Sequence, residues 1–177
     1  MKINSSEVEK TLNQVIVVRY GELFLKGKNK FFFIQKLVDN ITRAFSANNF
    51  TNFQIKKFSD QLLISSKNQS ELSRLLPILS NIFGISVFFL SYQLESSLEK
   101  LNQVAENLTN YYEINFTSFK LDISRNEKNF PQNSLFLQHH LGGIIRQKYN
   151  LKVDLNSPQK TFYIRIYRSF ILFYSEK

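Results

Sequence analysis

The chain has 177 residues, of which 23 are basic and 14 acidic, so its formal net charge is +9. It contains no cysteine, which excludes disulfide bonds, thiolate metal sites and cysteine nucleophiles. No run of about 18 apolar residues could span a membrane, and the first residues lack the apolar segment of a secretory signal. These features predict a cytoplasmic protein without a membrane partner, and the positive charge suits a polyanion such as nucleic acid.

The positive charge is concentrated in two blocks. Residues 1–85 carry 12 basic and 6 acidic side chains, and residues 119–177 carry 10 and 4. Residues 86–118, between them, carry one lysine and four glutamates. Two separate basic surfaces are therefore predicted rather than an evenly spread charge.

The first half of the chain begins with a strand and a helix. The β-branched run Val15–Val18 predicts a buried strand over about 15–20. Apolar residues from Phe33 to Phe45 recur at helical spacing and predict a helix over 30–47, with Asn29 as its N-cap. Lys26, Lys28 and Lys30 precede or open this helix, where ammonium groups and unpaired N–H groups suit a phosphate. The alternative is a solvated basic turn.

A hairpin, a helix and a strand complete this half, predicted over 53–58, 62–65, 70–83 and 85–90. Pro77 lies inside the helix and should kink it or mark its restart, and Gly84 is predicted to be the C-cap. The last strand is predicted to be buried. The order β-α-β-β-α-β is that of the ferredoxin-like fold.

The second half alternates helices and strands, with helices predicted over 96–112 and 134–149 and strands over 118–124, 151–155, 161–167 and 170–174. Ser96 or Ser97 is the expected cap of the first helix. In the strand 118–124, Phe119, Leu121 and Ile123 share one face, while Lys120 lies on the other.

The second basic block surrounds these strands. Arg125 and Lys128 follow one strand, and Arg146 lies on the next helix. Arg165 interrupts an aromatic strand between Tyr163 and Tyr167. An arginine flanked by tyrosines can grip phosphate while the rings stack on unpaired bases. The alternative is an ordinary amphipathic edge strand.

Catalytic and metal sites are not predicted on this chain. The histidines, His139 and His140, are neighbours on a helix, point about 100° apart and cannot bind one metal together. One is expected to be half-buried and the other exposed. Gly142 and Gly143 lie in a helical pattern at a cost of about 2 kcal/mol relative to alanine. Their backbone is therefore expected to approach either a neighbouring strand or a phosphate closely.

Five motifs resemble, in order and spacing, the tRNA 4-thiouridine synthetase (tRNA sulfurtransferase) family: Arg19-Tyr-Gly-Glu-Leu-Phe-Leu-Lys-Gly-Lys-Asn29, Phe83-Gly-Ile85, Phe119-Lys-Leu-Asp-Ile-Ser-Arg125, Leu141-Gly-Gly-Ile144 and Val153-Asp-Leu-Asn-Ser-Pro158. The first motif is the most specific, and the later ones are shared with THUMP modules of other RNA-modifying enzymes. The resemblance implies an α+β fold, with a ferredoxin-like βαββαβ domain at 1–92 and an α/β THUMP domain at 93–177.

The resemblance also implies tRNA binding, with the THUMP domain holding the single-stranded 3′ end of the acceptor. By motif match, Lys26, Lys28, Arg125 and the turn Gly142-Gly143 are expected to contact RNA. Arg146 and Arg165 are added on electrostatic grounds, and Lys30, Lys120 and Lys128 complete the set. Arg19 and Glu22 are expected to form an internal pair that braces the first motif. Ser124 and Ser157 depart from the family, which often has a basic residue and an asparagine there.

The family's catalytic part is not in this sequence. A PP-loop ATP-pyrophosphatase domain, with a Ser-Gly-Gly-x-Asp-Ser type phosphate loop and catalytic cysteines, follows the THUMP domain in family members. No cofactor is expected on this chain, and ATP and a sulfur donor would bind that PP-loop domain, in cis or in trans. A homodimer is left open. The expectation is a fragment of such an enzyme; the alternative is a stand-alone THUMP-type adaptor that delivers RNA to a separate RNA-modifying enzyme.

Overall fold

A computed structural model describes residues 13–21, 30–126 and 128–175, and the chain divides into two compact units. One unit contains Gln14–Ser91, and the other contains Asn13 together with the chain from Tyr92 onward. No helix in the described ranges is long and apolar enough to cross a membrane.

The first unit contains four strands and two helices: β1 (Gln14–Tyr20), α1 (Lys30–Ala47), β2 (Phe53–Phe58), β3 (Gln61–Ser66), α2 (Gln69–Leu79) and the first part of β4 (Ile85–Glu95). The strand order is β2-β3-β1-β4, and β3 is antiparallel to both β1 and β2. Because β3 lies between β1 and β2, the two strands joined by α1 are not neighbours. This is the split βαβ arrangement of the predicted ferredoxin-like fold.

The core of this unit follows from the sequence pattern. Val15–Val18 is buried throughout, as predicted. One stripe of α1 is buried, with Ile34, Leu37, Ile41 and Phe45 at most 3% exposed. These residues pack with Leu72, Leu75 and Leu79 of α2 in one cluster. Phe33, which the pattern placed in the apolar stripe, is instead 41% exposed.

The end of α2 and the start of β4 differ from the prediction. The helix ends at Leu79 rather than at residue 83, two residues after Pro77. The Ser80 hydroxyl donates to the Pro77 carbonyl oxygen at 2.6 Å, which satisfies one carbonyl of the last turn. Gly84 is therefore not the C-cap, although its φ of 97° does need glycine. The prediction that 85–90 is buried is also wrong, since Val87 is 49% exposed.

The second unit contains the end of β4, α3 (Leu98–Glu106), a 3-10 turn (Leu108–Asn110), β5 (Ser118–Arg125), α4 (Ser134–Tyr149), β6 (Lys152–Val153), β7 (Lys160–Ile166) and β8 (Phe170–Ser175). The strand order is β4-β8-β7-β5-β6. Strand β5 is parallel to β6 and β7, while β8 is antiparallel to β4 and β7. The predicted mixed α+β fold is confirmed.

Side-chain caps decide where the helices of this unit begin and end. The Ser97 hydroxyl oxygen accepts from the Lys100 N–H at 3.2 Å, and Asn133 Oδ1 accepts from the Phe136 N–H at 2.8 Å. The predicted helix 96–112 stops at Glu106 because Asn107 turns its side chain onto the Gln103 carbonyl oxygen at 2.9 Å. Asn150 ends α4 in the left-handed region, with φ at 53°.

Candidate RNA-binding surface

The first basic motif is described only at its ends. Lys26, Lys28 and Glu22 lie outside the described residues, so the expected pair of Arg19 with Glu22 stays a prediction. The Arg19 guanidinium lies 5.4 Å from the ring centroid of Phe89 on β4. Lys30 is the first residue of α1 and is partly exposed.

Arg165 lies on the face of β7 that points away from the helices. Residues Phe162, Ile164 and Ile166 alternate with it and are buried in the core. Its Nη1 donates to Asp122 Oδ1 at 2.6 Å and to the Asp122 carbonyl oxygen at 2.9 Å. Its side chain is 18% exposed, against 43% for Asp122. The candidate phosphate ligand is therefore already bound to a carboxylate on β5.

The two tyrosines beside Arg165 have different surroundings. The Tyr163 ring stacks on Tyr174 with centroids 5.0 Å apart, and the Arg165 guanidinium lies 5.2 Å from the Tyr163 centroid. Tyr167 is 8% exposed and packs on Phe170. The expectation that both rings are open to bases is wrong for Tyr167, because it follows the last residue of β7 and turns into the hairpin.

Arg125 ends β5 on the opposite face from Arg165. Its Nη1 donates to the carbonyl oxygens of Phe130 at 3.1 Å and Gln132 at 3.0 Å. Both acceptors lie in the loop that leads into α4, so Arg125 braces the start of that helix. Its positive charge has carbonyl partners here rather than a carboxylate, and Lys128 in the same loop is exposed. Within the described residues, neither Arg125 nor Lys128 forms a salt bridge with a carboxylate.

Helix α4 carries the remaining candidates, of which Gly142 is buried, Gly143 is half-buried and Arg146 is exposed. Gly142 and Gly143 are mid-helix residues rather than a turn. A Cβ at either position would meet no described atom within 4 Å, so the expected close approach to a neighbouring strand is wrong. Arg146 is exposed in the last turn, about 18 Å along the helix axis from Ser134. The structure thus places Arg125 and Arg146 towards opposite ends of α4.

Lys120 and the motif Val153–Pro158 complete the predicted set. Lys120 is half-buried on the same strand face as Asp122. Asp154 Oδ1 accepts from the N–H groups of Asn156 and Ser157, each at 3.0 Å. The hydrogen bonds from Ser157 and then Asn156 lower the pKa of Asp154. This turn also explains why β6 is shorter than predicted.

The histidines of α4 occupy the two environments that were predicted. His139 is exposed and His140 is half-buried, with its Nε2 2.9 Å from Asn102 Oδ1. The His140 ring stacks on Phe136, with centroids 5.5 Å apart. In the parts of the chain that the structure describes, no group of three histidine, aspartate or glutamate side chains could hold a metal ion.

Two aromatic residues at the start of α1 were missed by the sequence analysis. Phe31 is 71% exposed and Phe32 is 65% exposed, and the Lys57 ammonium lies 5.1 Å from the Phe31 centroid. Three consecutive phenylalanines on a helix span about 200° of its circumference, so they cannot all face the core. The run of three phenylalanines in the sequence could therefore have predicted an exposed ring at the start of α1.

Two family models match the chain. The ThiI ferredoxin-like domain matches residues 15–88, and the THUMP domain matches residues 95–176. A probable tRNA sulfurtransferase of Mycoplasma genitalium is 33% identical over 177 residues, which is all of this chain and 43% of the relative. One of Staphylococcus aureus is 31% identical over 162 residues, or 91% of this chain and 39% of the relative. The chain thus spans about two fifths of these relatives.

Solved structures show the same fold. PH1313 from Pyrococcus horikoshii superposes with a TM-score of 0.75 at 26% identity, covering 92% of this chain and 54% of that one. The structure of a 4-thiouridine synthetase–RNA complex with bound ATP also gives 0.75, at 23% identity, covering 93% of this chain and 41% of that one.

Proposed function

Because the chain belongs to the tRNA sulfurtransferase family and contains the ThiI ferredoxin-like and THUMP domains, we propose that it is the tRNA-binding module of an enzyme that makes 4-thiouridine. The observation that carries the proposal is the pairing of these two domains, in this order, over nearly the whole chain. In this proposal the THUMP unit holds the acceptor stem and the single-stranded 3′ end. The ATP-dependent transfer of sulfur belongs to a catalytic domain in the same polypeptide or in a separate one, and sedimentation of the chain decides whether the protomers pair as a homodimer.

The exposed cations of the second unit support the RNA-binding part of the proposal. Lys128 and Arg146 are exposed, and Gly143 leaves the surface of α4 open between its two ends. Paired RNA is recognised mainly through phosphates and shape, and unpaired bases are splayed out and stacked. Cations at both ends of α4, with the half-buried Gly143 between them, suit a nucleic-acid backbone that runs along the helix.

A titration with tRNA tests the proposal directly. The 177-residue chain is mixed with tRNA that has or lacks its unpaired 3′ tail, at several salt concentrations. We expect salt-dependent binding, because phosphate contacts release counterions, and weaker binding without the tail. Equal affinity for both RNAs would contradict 3′-end recognition, and absence of tRNA binding would contradict the whole proposal.

Charge variants identify which cations contact phosphate. The slope of log K against log salt is negative, and we use salt slope for its magnitude. We expect Lys128→Gln and Arg146→Gln each to lower the salt slope by roughly 0.7 to 0.9. Lys100→Gln is the matched control, because Lys100 lies in the acidic segment between the basic blocks and its ammonium contacts Gln103 Oε1 at 3.1 Å. The control should keep the wild-type slope.

A further inference from the structure

Helix α1 opens with an aromatic surface that its own fold does not cover. Phe31 and Phe32 are 71% and 65% exposed, because α1 buries the stripe that contains Ile34 and Leu37. Large aromatic side chains are normally buried, and neighbouring exposed ones mark an interaction site. We refer to Phe31, Phe32, Lys36 and Lys57 as the α1 patch.

Cations surround the rings of this patch. The Lys57 ammonium, at the end of β2, lies 5.1 Å from the Phe31 ring centroid. Lys36 follows Phe32 by four residues, which places the two side chains one above the other on the outward face of the helix. Residues 30–66 carry five basic and two acidic side chains. The patch is thus apolar at its centre and positive around it.

The exposed rings and neighbouring cations of the α1 patch suit single-stranded nucleic acid better than a membrane surface. A membrane-binding helix needs a broad apolar face along its length, whereas the outward face of α1 continues with Lys36, Asp39 and Arg43. Single-stranded nucleic acid needs ring faces for stacking and cations for the phosphates between the bases. The α1 patch supplies both, from the first two turns of α1 and from Lys57 on β2.

We propose that Phe31 and Phe32 stack on unpaired nucleotides of the bound RNA, while Lys57 and Lys36 bind the adjoining phosphates. The inference rests on the proposed tRNA-binding function and adds a site on the ferredoxin-like unit. The alternative partner is a protein surface that covers the same rings, and the experiments below distinguish that protein contact from RNA binding.

The first experiment compares two sets of exposed phenylalanines. The double variant Phe31→Ala/Phe32→Ala and the control Phe83→Ala are titrated with tRNA and with a single-stranded RNA oligonucleotide. Phe83 is 89% exposed in the same unit, so neither variant creates a core cavity, and thermal unfolding checks the fold. We expect the double variant to bind about tenfold more weakly or worse, the size typical of lost base–aromatic stacking. Phe83→Ala should bind as the wild type does.

The second experiment places a fluorescent reporter in the patch. The chain has no tryptophan, so Phe32→Trp introduces a single one. We expect its fluorescence to be quenched by the single-stranded oligonucleotide and by tRNA, and to recover at high salt. Lys36→Gln/Lys57→Gln should reduce the salt slope by roughly 1.4 to 1.8.

The outcomes separate the two proposals. If the wild type binds tRNA but the double variant keeps its affinity and Phe32→Trp is not quenched, the α1 patch is not an RNA site and the proposed function stands. If the double variant keeps RNA affinity but shifts the chain from dimer to monomer in sedimentation, the rings cover protein, and the inference is overturned. If the wild type does not bind tRNA, both proposals fail.

Discussion

Arg165 on β7 is bound to Asp122 on the parallel neighbour β5, with Nη1 and Oδ1 2.6 Å apart. The same Nη1 also donates to the Asp122 carbonyl oxygen at 2.9 Å. A single guanidinium nitrogen of Arg165 thus binds both the side chain and the backbone of Asp122. Because the Arg165 side chain is only 18% exposed, this arrangement gives it a role in joining the two strands.

We expect Arg165→Gln to lower the free energy of unfolding by about 1 to 2 kcal/mol, through the loss of charge-assisted hydrogen bonds. Asp122→Asn should cost less, because the half-exposed carboxylate is screened by solvent. Urea unfolding of both single variants and the double variant measures the coupling, which we expect to be about 1 kcal/mol. Additive effects of the two substitutions would contradict the pairing.

The same variant tests whether Arg165 contacts RNA, as its sequence context predicts. We expect Arg165→Gln to leave the salt slope of tRNA binding unchanged, because the charge is already matched by Asp122. Arg146→Gln, which removes an exposed cation, should lower the slope. An Arg165→Gln variant with wild-type stability and a reduced slope would instead assign Arg165 to phosphate binding.

Arg125 is expected to act through both its charge and its geometry. Arg125→Lys keeps the charge, but both hydrogen bonds come from Nη1, and the lysine ammonium ends one bond nearer the backbone and does not reach the same position. We therefore expect faster amide exchange at residues 128, 129, 130 and 132 and severalfold weaker tRNA binding with an unchanged salt slope. Arg125→Gln should lower the slope as well.

Lys128→Arg is the control for this position, since it keeps an exposed cation in the same loop and leaves the brace intact. Its exchange rates and affinity should match the wild type. If Arg125→Lys behaves as the control does, the two bonds to the Phe130 and Gln132 carbonyl oxygens do not position the loop for RNA.

Local patterns predicted most of the fold. The predicted bounds 30–47 and 134–149 are those of α1 and α4, and for α4 local signals lie at both ends, the N-cap Asn133 and the left-handed Asn150. The predicted cap of α1, Asn29, lies outside the described residues. The errors occur where a side chain competes with the helix backbone: Asn107 divides the helix predicted over 96–112, and Ser80 bonds the Pro77 carbonyl oxygen where α2 ends.

The site was less predictable than the fold, because its contacts join residues far apart in sequence. Alternation along β5 and β7 places Asp122 and Arg165 on one sheet face, but only the register of the two strands brings them into contact. The exposure of Phe31 and Phe32 likewise depends on which stripe of α1 packs on the core. Neither follows from residue type alone.

The paired glycines of α4 allow stability and binding to be separated. Because an added Cβ meets no described atom within 4 Å at either position, we expect Gly142→Ala and Gly143→Ala each to raise the free energy of unfolding by about 1 kcal/mol through helix propensity. If RNA approaches α4 at the half-buried Gly143, tRNA affinity should fall in Gly143→Ala, whereas Gly142 is buried and Gly142→Ala should keep the wild-type affinity. Gln147→Ala, an exposed site on the same helix, should leave affinity unchanged. Higher stability with unchanged affinity in both glycine variants would exclude these residues from the RNA contact.

The turn at Asp154 should make stability depend on pH in a defined direction. Hydrogen bonds from the Ser157 and Asn156 N–H groups lower the pKa of Asp154 in the folded chain. The folded state therefore binds this proton less readily than the unfolded state. The carboxylate contributes stability above its unfolded pKa, and that contribution is lost as the pH falls through the lower folded value. Asp154→Asn should unfold at a lower temperature than the wild type at pH 7, and the difference should shrink as the pH falls below the ordinary range of an aspartate pKa.

Glu113→Gln, which changes an exposed carboxylate of the same unit, is the control. A difference for Asp154→Asn that stays constant between pH 7 and pH 2 would show that the turn does not depend on the charge of Asp154.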